Sequence, residues 1–213
     1  MRRSEAIAEQ AAQPRGLLGW IIGSIMSRET RHDNETAIDM LDIRSNDRVV
    51  DLGTGHGESL TSLAKRAHRG EVEGIDISTV MLGIARRKHR KKIRSGRIAL
   101  HHASANALPF NDNSFDKALA VHTLYFWNPA QSYLREIARI LKPGGLVLLA
   151  FRPAEDAQVV AKFPSTVYHF RSIAEVSVLI RDAGFSNIET VHRDLPGKSM
   201  VWLLATKEEI DPC

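Results

Sequence analysis

The sequence has almost no cysteine and no long apolar run. Cys213 is the only cysteine among 213 residues, which excludes a scaffold held by intramolecular disulfides and favours the reducing cytoplasm. The longest apolar stretch, residues 17–26, is about half the length that crosses a bilayer. No small-residue cleavage site follows it, so neither a membrane span nor a signal peptide is expected. With 43% hydrophobic residues and 25% charged ones, the chain has the composition of a globular domain.

Long segments whose charges all have the same sign are scarce as well, with one clear exception. The chain carries 29 Lys and Arg against 25 Asp and Glu, but eight of the cations lie between Arg86 and Arg97 with no acid among them. Without these eight, 21 cations face 25 acids. A net charge produced by one segment is weak evidence for a nucleic-acid partner.

Short β-branched segments alternate with helical patterns along most of the chain, which predicts an α/β fold with a doubly wound parallel sheet. A closing antiparallel pair joined through Pro196-Gly197 makes seven strands in all. The predicted strands are residues 48–52, 72–76, 97–101, 115–121, 146–150, 187–192 and 199–206. The predicted helices are residues 17–27, 35–41, 58–67 and 78–90, one that starts at Asn128-Pro129, and one from Ser172 to Gly184.

The first predicted strand runs directly into Gly53-Thr54-Gly55-His56-Gly57 and then a helix. Such a loop turns sharply and lets a ligand approach the backbone at the carboxyl edge of a sheet. Asp76 ends the second strand, nineteen residues after Gly57, where a carboxylate can accept hydrogen bonds from ribose hydroxyls. Glu58 stands where the dinucleotide fingerprint has its third glycine, and its charge would repel a pyrophosphate. The pattern therefore predicts a nucleoside ligand without phosphates.

These residues resemble the class I S-adenosylmethionine-dependent methyltransferases, which have a Rossmann-like fold. Residues 51–57 resemble the first motif of that family and residues 74–78 the second. Residues 103–110 with Phe115-Asp116 resemble the segment that contacts adenine, and two later elements match Leu141-Lys142-Pro143-Gly144-Gly145 and Ala183-Gly184-Phe185. The resemblance covers roughly residues 45–190 in the family's order. It is closest to the branch of quinone-biosynthesis and small-molecule enzymes.

The resemblance implies S-adenosylmethionine as the cofactor and no metal. It places the cofactor-binding domain at residues 45–213 and a cap of N-terminal helices, part of the same domain, at residues 1–44. Ser104 stands where the family usually has an aspartate, so it can accept a hydrogen bond there only without charge. The implied cofactor-binding residues are Asp51, Gly53, Thr54, Gly55, Gly57, Asp76, Ile77, Ser104, Ala105, Val121 and His122.

Candidates for the methyl acceptor's side of the site follow the fourth strand. His122 is predicted to act either as a general base or as a residue that orients the cofactor. Tyr125 is a second catalytic candidate. Tyr125-Phe126-Trp127 and the later Tyr168 are predicted to wall a substrate pocket, although packing on the following helix is the alternative for the three aromatics.

The sequence thus predicts a methyltransferase acting on a small, partly apolar acceptor by in-line displacement. Two alternatives stay open: a phospholipid N-methyltransferase that contacts the membrane peripherally through residues 17–26, and a non-catalytic S-adenosylmethionine-binding module. That segment can equally be a lid or a helix packed on the domain. The run from Arg86 to Arg97 is predicted to be a solvated helix end, on the far side from the glycine loop, rather than a site for nucleic acid or anionic lipid.

Overall fold

A computed structural model describes residues 4–16, 30–195 and 198–209 of the protein. Within these residues, seven strands form one sheet in the order β3-β2-β1-β4-β5-β7-β6. Strands β1 to β5 are parallel, whereas β7 pairs antiparallel with both β5 and β6. The strands are β1 Arg48–Leu52, β2 Glu71–Asp76, β3 Ile98–His102, β4 Phe115–Val121, β5 Leu141–Phe151, β6 Phe185–Leu195 and β7 Lys198–Lys207. The predicted seven-stranded, mostly parallel sheet is confirmed.

Helices cover both faces of this sheet, as a doubly wound fold requires. Those described are α1 Glu5–Ala12, α2 Arg31–Met40, α3 Leu60–Arg66, α4 Thr79–Lys88, α5 Arg90–Arg94, α6 Ala130–Ile140, α7 Ala157–Val160 and α8 Ile173–Arg181, with a 3-10 turn at Leu124–Phe126.

The central strands are apolar on both sides because helices bury both faces of the sheet. Val49 packs into one hydrophobic cluster with α2 and α3, and Val50 into another with α6 and α8. Both side chains are fully buried. This frame fixes the carboxyl ends of β1, β2 and β4 next to one another.

Some element boundaries differ from the predicted ones. Pro129 caps α6, which starts at Ala130, because the backbone of Pro129 is still extended at ψ 136°. Strand β5 begins at Leu141 rather than Leu146, since Leu141 pairs with Phe115 of β4. Helix α1 has no counterpart among the predicted elements.

The N-terminal segment is described only in part. Helix α2 begins at Arg31, four residues earlier than predicted, and buries Ala37 and Ile38 in the core. The predicted helix at residues 17–27 lies outside the described residues, and the division of the chain at residue 44 stays a prediction. In the parts of the chain that the structure describes, no helix is both long and apolar enough to traverse a bilayer.

The prediction that the run from Arg86 to Arg97 lies on the far side from the glycine loop is wrong for the first part of the run. Lys88 at the end of α4 forms a 2.6 Å ion pair with Glu58, and Nε2 of His89 lies 2.7 Å from the carbonyl oxygen of Gly57. The chain continues past Gly57 for two residues before α3 begins at Leu60. Gly57 and Glu58, at the end of the glycine loop, therefore contact the end of α4.

Candidate active site

A cleft opens where β1, β2 and β4 end, and it encloses about 1200 Å³ including solvent at its mouth. Twelve of the residues predicted for cofactor or substrate binding lie in its wall: Asp51, Gly53, Thr54, Gly55, Asp76, Ile77, Ser104, Ala105, Val121, His122, Phe126 and Trp127. Gly57, Tyr125 and Tyr168 do not belong to this wall.

Asp76 is held rigidly at the end of β2. Its Oδ2 accepts the backbone N–H of Gly55 at 2.8 Å, and its Oδ1 accepts that of Ser78 at 2.7 Å. Burial raises the pKa of this carboxyl above its usual value, and the two N–H donors partly oppose that effect. Because a carboxylate oxygen accepts about two hydrogen bonds, each oxygen keeps capacity for a ligand hydroxyl.

Asp51 ends β1 as a buried carboxylate in the wall of the same cleft. Burial raises its pKa to about 6, against the opposing hydrogen bonds of Ser59 and Thr54. The hydroxyl of Ser59 donates to its Oδ2. Within residues 4–16, 30–195 and 198–209, no cationic side chain forms an ion pair with Asp51. A buried carboxylate in this state favours a cationic ligand.

The glycine loop has two functions that the sequence pattern does not separate. Gly55 lies in the cleft wall at φ +55°, and a Cβ there meets no protein atom within 4 Å. Gly57 lies behind the loop at φ +77°, where a Cβ would approach Nε2 of His89 to 2.9 Å. We therefore correct the prediction for Gly57, which lets α4 pack against the loop and does not line the cleft.

His122 lies immediately after β4 in the left-handed conformation, at φ +58°. Its Nε2 lies 2.9 Å from Oδ2 of Asp33, a fully buried residue of α2. Its Nδ1 lies 3.0 Å from the hydroxyl of Tyr125, which accepts the backbone N–H of Arg152 at 2.6 Å. The ring thus connects α2, β4 and the end of β5.

The direction of these hydrogen bonds follows from the donors available. Burial raises the pKa of Tyr125 above its ordinary value, so its hydroxyl keeps its proton. That oxygen accepts from Arg152, and its one hydrogen is then donated to Nδ1 of His122. The carboxylate of Asp33 can only accept, so Nε2–H of His122 donates to it. Both ring nitrogens of His122 have partners inside the protein.

The aromatic residues after β4 divide between the cleft and the core. Phe126 and Trp127 lie in the cleft wall, where Trp127 stacks on Tyr133 with ring centroids 5.3 Å apart. Tyr125 and Tyr168 do not line the cleft, and they pack behind its wall with Phe126 in one aromatic cluster. The prediction that Tyr125 and Tyr168 line the pocket is thus wrong, because hydrogen bonding and ring packing hold them in the interior.

Several wall residues carry no recognisable motif in the sequence. Thr30 and Asn34 reach the cleft from the start of α2, and Tyr133 reaches it from α6. Ala11, Ala12 and Pro14 reach it from α1 and the residues after it. The hydroxyl of Ser78 donates to the carbonyl oxygen of Pro14 at 2.6 Å and holds this segment beside β2. Only the fold brings these residues, distant in sequence, to the cleft.

Comparison with known proteins decides the family. A family model described as a methyltransferase domain matches residues 50–149. Demethylmenaquinone methyltransferase of Lactiplantibacillus plantarum is 30% identical over 185 residues, which cover 74% of this chain and 78% of that protein. The uncharacterized methyltransferase YdaC of Bacillus subtilis is 28% identical over 88% of this chain and 98% of its own length.

This chain belongs to the S-adenosylmethionine-dependent methyltransferases. The fold agrees, since the crystal structure of YcgJ from Bacillus subtilis superposes with a TM-score of 0.70 over 84% of this chain and 99% of that one, at 18% identity.

The cleft of this methyltransferase fits S-adenosylmethionine, its cofactor. Asp76 keeps acceptor capacity for ribose hydroxyls, and Gly55 leaves the loop backbone open to a ligand. The buried carboxylate of Asp51 favours the positive charges that an amino group and a sulfonium carry. Glu58 also lies in the wall, where Arg31 and Lys88 form ion pairs with it. In the described part of the chain, no group of three or more metal-ligating side chains is close enough to hold a metal ion.

Proposed function

We propose that the protein transfers the methyl group of S-adenosylmethionine to a small, partly apolar acceptor by in-line displacement. One observation carries the proposal: the carboxylates of Asp51 and Asp76 and the aromatic rings of Phe126 and Trp127 line the same continuous cleft. The acidic part suits a cationic nucleoside, and the aromatic part suits an apolar or ring-bearing acceptor.

The protein's contribution to such a reaction is position and the exclusion of water. S-adenosylmethionine, when bound, supplies an electrophilic methyl group on a sulfonium. Asp76 and the loop at Gly55 would hold the nucleoside end, while Val121, at the end of β4, and Phe126 would form the dry wall beside the acceptor. Aligned contact between two reactants is worth several kcal/mol of the barrier, so the step needs no further catalytic group. The acceptor atom forms a bond to the methyl carbon as the S–CH3 bond breaks, S-adenosylhomocysteine is the leaving group, and the acceptor's proton passes to solvent water.

We assign His122 the role of a positioning residue. The acceptor's proton cannot pass to either ring nitrogen without first breaking the hydrogen bond to Asp33 or accepting in competition with Tyr125. The same two bonds fix the backbone at residues 122–123, next to Val121. The geometry supports the orienting alternative from the sequence more strongly than a general base.

Calorimetry followed by a turnover assay tests this function. We expect the protein to bind S-adenosylmethionine and not NAD, and to form S-adenosylhomocysteine when supplied with a fractionated metabolite extract. Tight binding of NAD contradicts the proposal. Binding of S-adenosylmethionine with no turnover in any fraction supports the non-catalytic module instead.

A pair of variants tests the aromatic wall. Phe126→Ala removes a ring from the cleft and is expected to raise KM for the acceptor about tenfold or more, with the Kd for S-adenosylmethionine unchanged. Phe163→Ala is the matched control, because Phe163 packs against Tyr168 and Phe170 and does not line the cleft. Equal effects of the two substitutions on KM contradict the acceptor site.

The phospholipid alternative depends on residues 17–26, all of which lie outside the described residues. Flotation with liposomes, with and without residues 1–30, tests it directly. Flotation that requires these residues would favour a lipid acceptor over a freely diffusing one.

A further inference from the structure

Two stretches that the fold brings together contain cations and no acid. Residues 59–70 carry three Lys and Arg, and residues 77–111 carry eight, without one Asp or Glu in either. The remaining residues hold 18 Lys and Arg against all 25 acids. Surface helices ordinarily mix both signs, so the segregation of charge is a property of the molecule that its mean net charge hides.

The fold joins these two stretches into one surface. Helices α3 and α4 follow β1 and β2 on the same side of the sheet, and α5 continues from α4. The guanidinium of Arg97 donates to the carbonyl oxygen of Ala67 at 2.6 Å, and Nζ of Lys92 lies 3.5 Å from that of Thr61. We name this surface the basic face and define it by its exposed cations: Lys65, Arg66, Arg69, Arg86, Arg87, Lys88, Arg90, Lys91 and Arg94.

Internal ion pairs do not account for the basic face. Lys88 pairs with Glu58 and Arg66 with Asp39. Among the described residues, the other seven cations have no carboxylate partner. Like charges at helical spacing, such as Arg90 and Arg94 on α5, destabilise a helix. The arrangement therefore costs stability within the protein itself.

The basic face concentrates positive charge in a short part of the chain. Six of its nine cations lie between Arg86 and Arg94, where α4 ends and α5 follows after His89. A nucleic-acid backbone is a matching array of negative charge, with about one phosphate charge per 1.7 Å of duplex axis. Several cations that engage it at once release condensed counterions, which is the main source of affinity for a polyphosphate chain.

The exposed apolar side chains that could insert into a membrane or stack on a nucleobase lie outside the basic face. The exposed large hydrophobic residues in the described chain are Ile7, Ile77 and Val178, and none lies on α3, α4 or α5. Membrane anchoring ordinarily combines basic residues with an inserted apolar group. No aromatic residue other than histidine occurs on these three helices, so bases have no stacking platform there.

We propose that the basic face binds the phosphodiester backbone of RNA or DNA without sequence preference. The sequence-based expectation against a nucleic-acid partner rested on the segment from Arg86 to Arg97 alone. The structure adds the three cations of the α3 stretch to it and leaves seven of the nine cations, among the described residues, without a carboxylate partner. None of the nine cations lines the cleft, although Lys88 pairs with the wall residue Glu58. The face therefore tethers the protein and takes no part in methyl transfer.

Fluorescence anisotropy with the full chain tests the proposal. The probes are a labelled 20-nucleotide RNA, a 20-base-pair RNA duplex and a 20-base-pair DNA duplex, each in two unrelated sequences. If about five phosphates are engaged, the slope of log K against log salt is about −4.5, and raising salt from 50 to 200 mM weakens duplex binding about 500-fold. The two sequences are expected to bind equally.

Charge-reversal variants locate the site. R90E/K91E/R94E changes three exposed cations of α5 and is expected to lower affinity at 50 mM salt by at least tenfold and to flatten the slope. R135E/K162E/R181E is the matched control, with the same change in net charge at exposed positions elsewhere. R90Q/K91Q/R94Q repeats the test without introducing acids, and circular dichroism and the Kd for S-adenosylmethionine verify that each variant is folded.

Three results would overturn the proposal. The first is no binding of any probe at 50 mM salt. The second is an equal loss in the control triple variant, which would make the effect one of net charge alone. The third is binding to vesicles with 30% phosphatidylserine but not to nucleic acid, which would assign the face to a membrane. Preference among the three probes identifies which nucleic acid supplies the backbone.

Discussion

The raised pKa of Asp51 makes cofactor binding depend on pH in a range that is easy to measure. In the free protein this carboxyl has a pKa of about 6 because it is buried. A cationic ligand favours the ionised form, so protonation competes with binding. With a pKa of 6, the fraction of free protein in which Asp51 is protonated weakens the affinity about elevenfold at pH 5 and hardly at all at pH 7. We expect the Kd for S-adenosylmethionine to be about tenfold larger at pH 5 than at pH 7.

Calorimetry in two buffers of different ionisation enthalpy measures both the Kd and the number of protons released on binding. At pH 5, binding is expected to release close to one proton from Asp51, and at pH 7 close to none. Asp51→Asn removes this proton release and weakens binding at pH 7. Asp182→Asn, which changes an exposed carboxylate at the end of α8, is the control and retains the full pH dependence. An affinity that is the same at pH 5 and pH 7 in the unchanged protein would refute the reasoning.

The same carboxyl has an effect of opposite sign on the stability of the free protein. Its folded pKa lies above the unfolded value of 3.8, so its contribution to stability is fully present below pH 3.8 and is lost as pH rises through about 6. The difference corresponds to about 3 kcal/mol. Asp51→Asn is therefore expected to raise the free energy of unfolding of the free protein at pH 7.5, by up to about 3 kcal/mol, while it weakens cofactor binding. A destabilised variant in urea denaturation contradicts this expectation.

Three further predictions follow from the site. Asp76→Ala should weaken S-adenosylmethionine binding by about 1–3 kcal/mol through lost charge-assisted hydrogen bonds, and an unchanged Kd by calorimetry would remove Asp76 from the site. His122→Asn keeps a residue that suits the left-handed backbone. Its effect on the free energy of unfolding and that of Tyr125→Phe should be non-additive by about 1 kcal/mol in a double-mutant cycle. A bell-shaped pH–rate profile that is lost only in His122→Asn would instead indicate a general base. Gly57→Ala should lower stability by roughly 1–3 kcal/mol with little change in Kd, whereas Gly55→Ala should impair cofactor binding as well; identical Kd values for the two contradict the separation.

The residues on the cofactor side of the cleft could be predicted from the sequence because they directly follow the ends of strands in the chain. In a parallel sheet, the carboxyl ends of neighbouring strands meet at one edge. Asp51 after β1 and Asp76 after β2 therefore lie near each other whatever the details of packing. The alternation of strand and helix patterns likewise determined the order of elements and the antiparallel end of the sheet.

Residues whose role depends on burial were beyond the reach of sequence patterns. Nothing local distinguishes Phe126, which faces the cleft, from Tyr125, which is enclosed by hydrogen bonds and rings. Asp33 is 89 residues from His122 in the chain, and only the packing of α2 against β4 and β5 brings the two together.

The sequence by itself therefore determined the sheet, the glycine loop and the positions of the two carboxylates that we predict to bind the cofactor, because these depend on short-range patterns and on strand direction. The tertiary structure alone decided the hydrogen-bond partners of His122, the wall residues supplied by α1 and α2, and the union of two acid-free stretches into one basic face. Each of these depends on contacts between segments far apart in the chain, which no local pattern encodes.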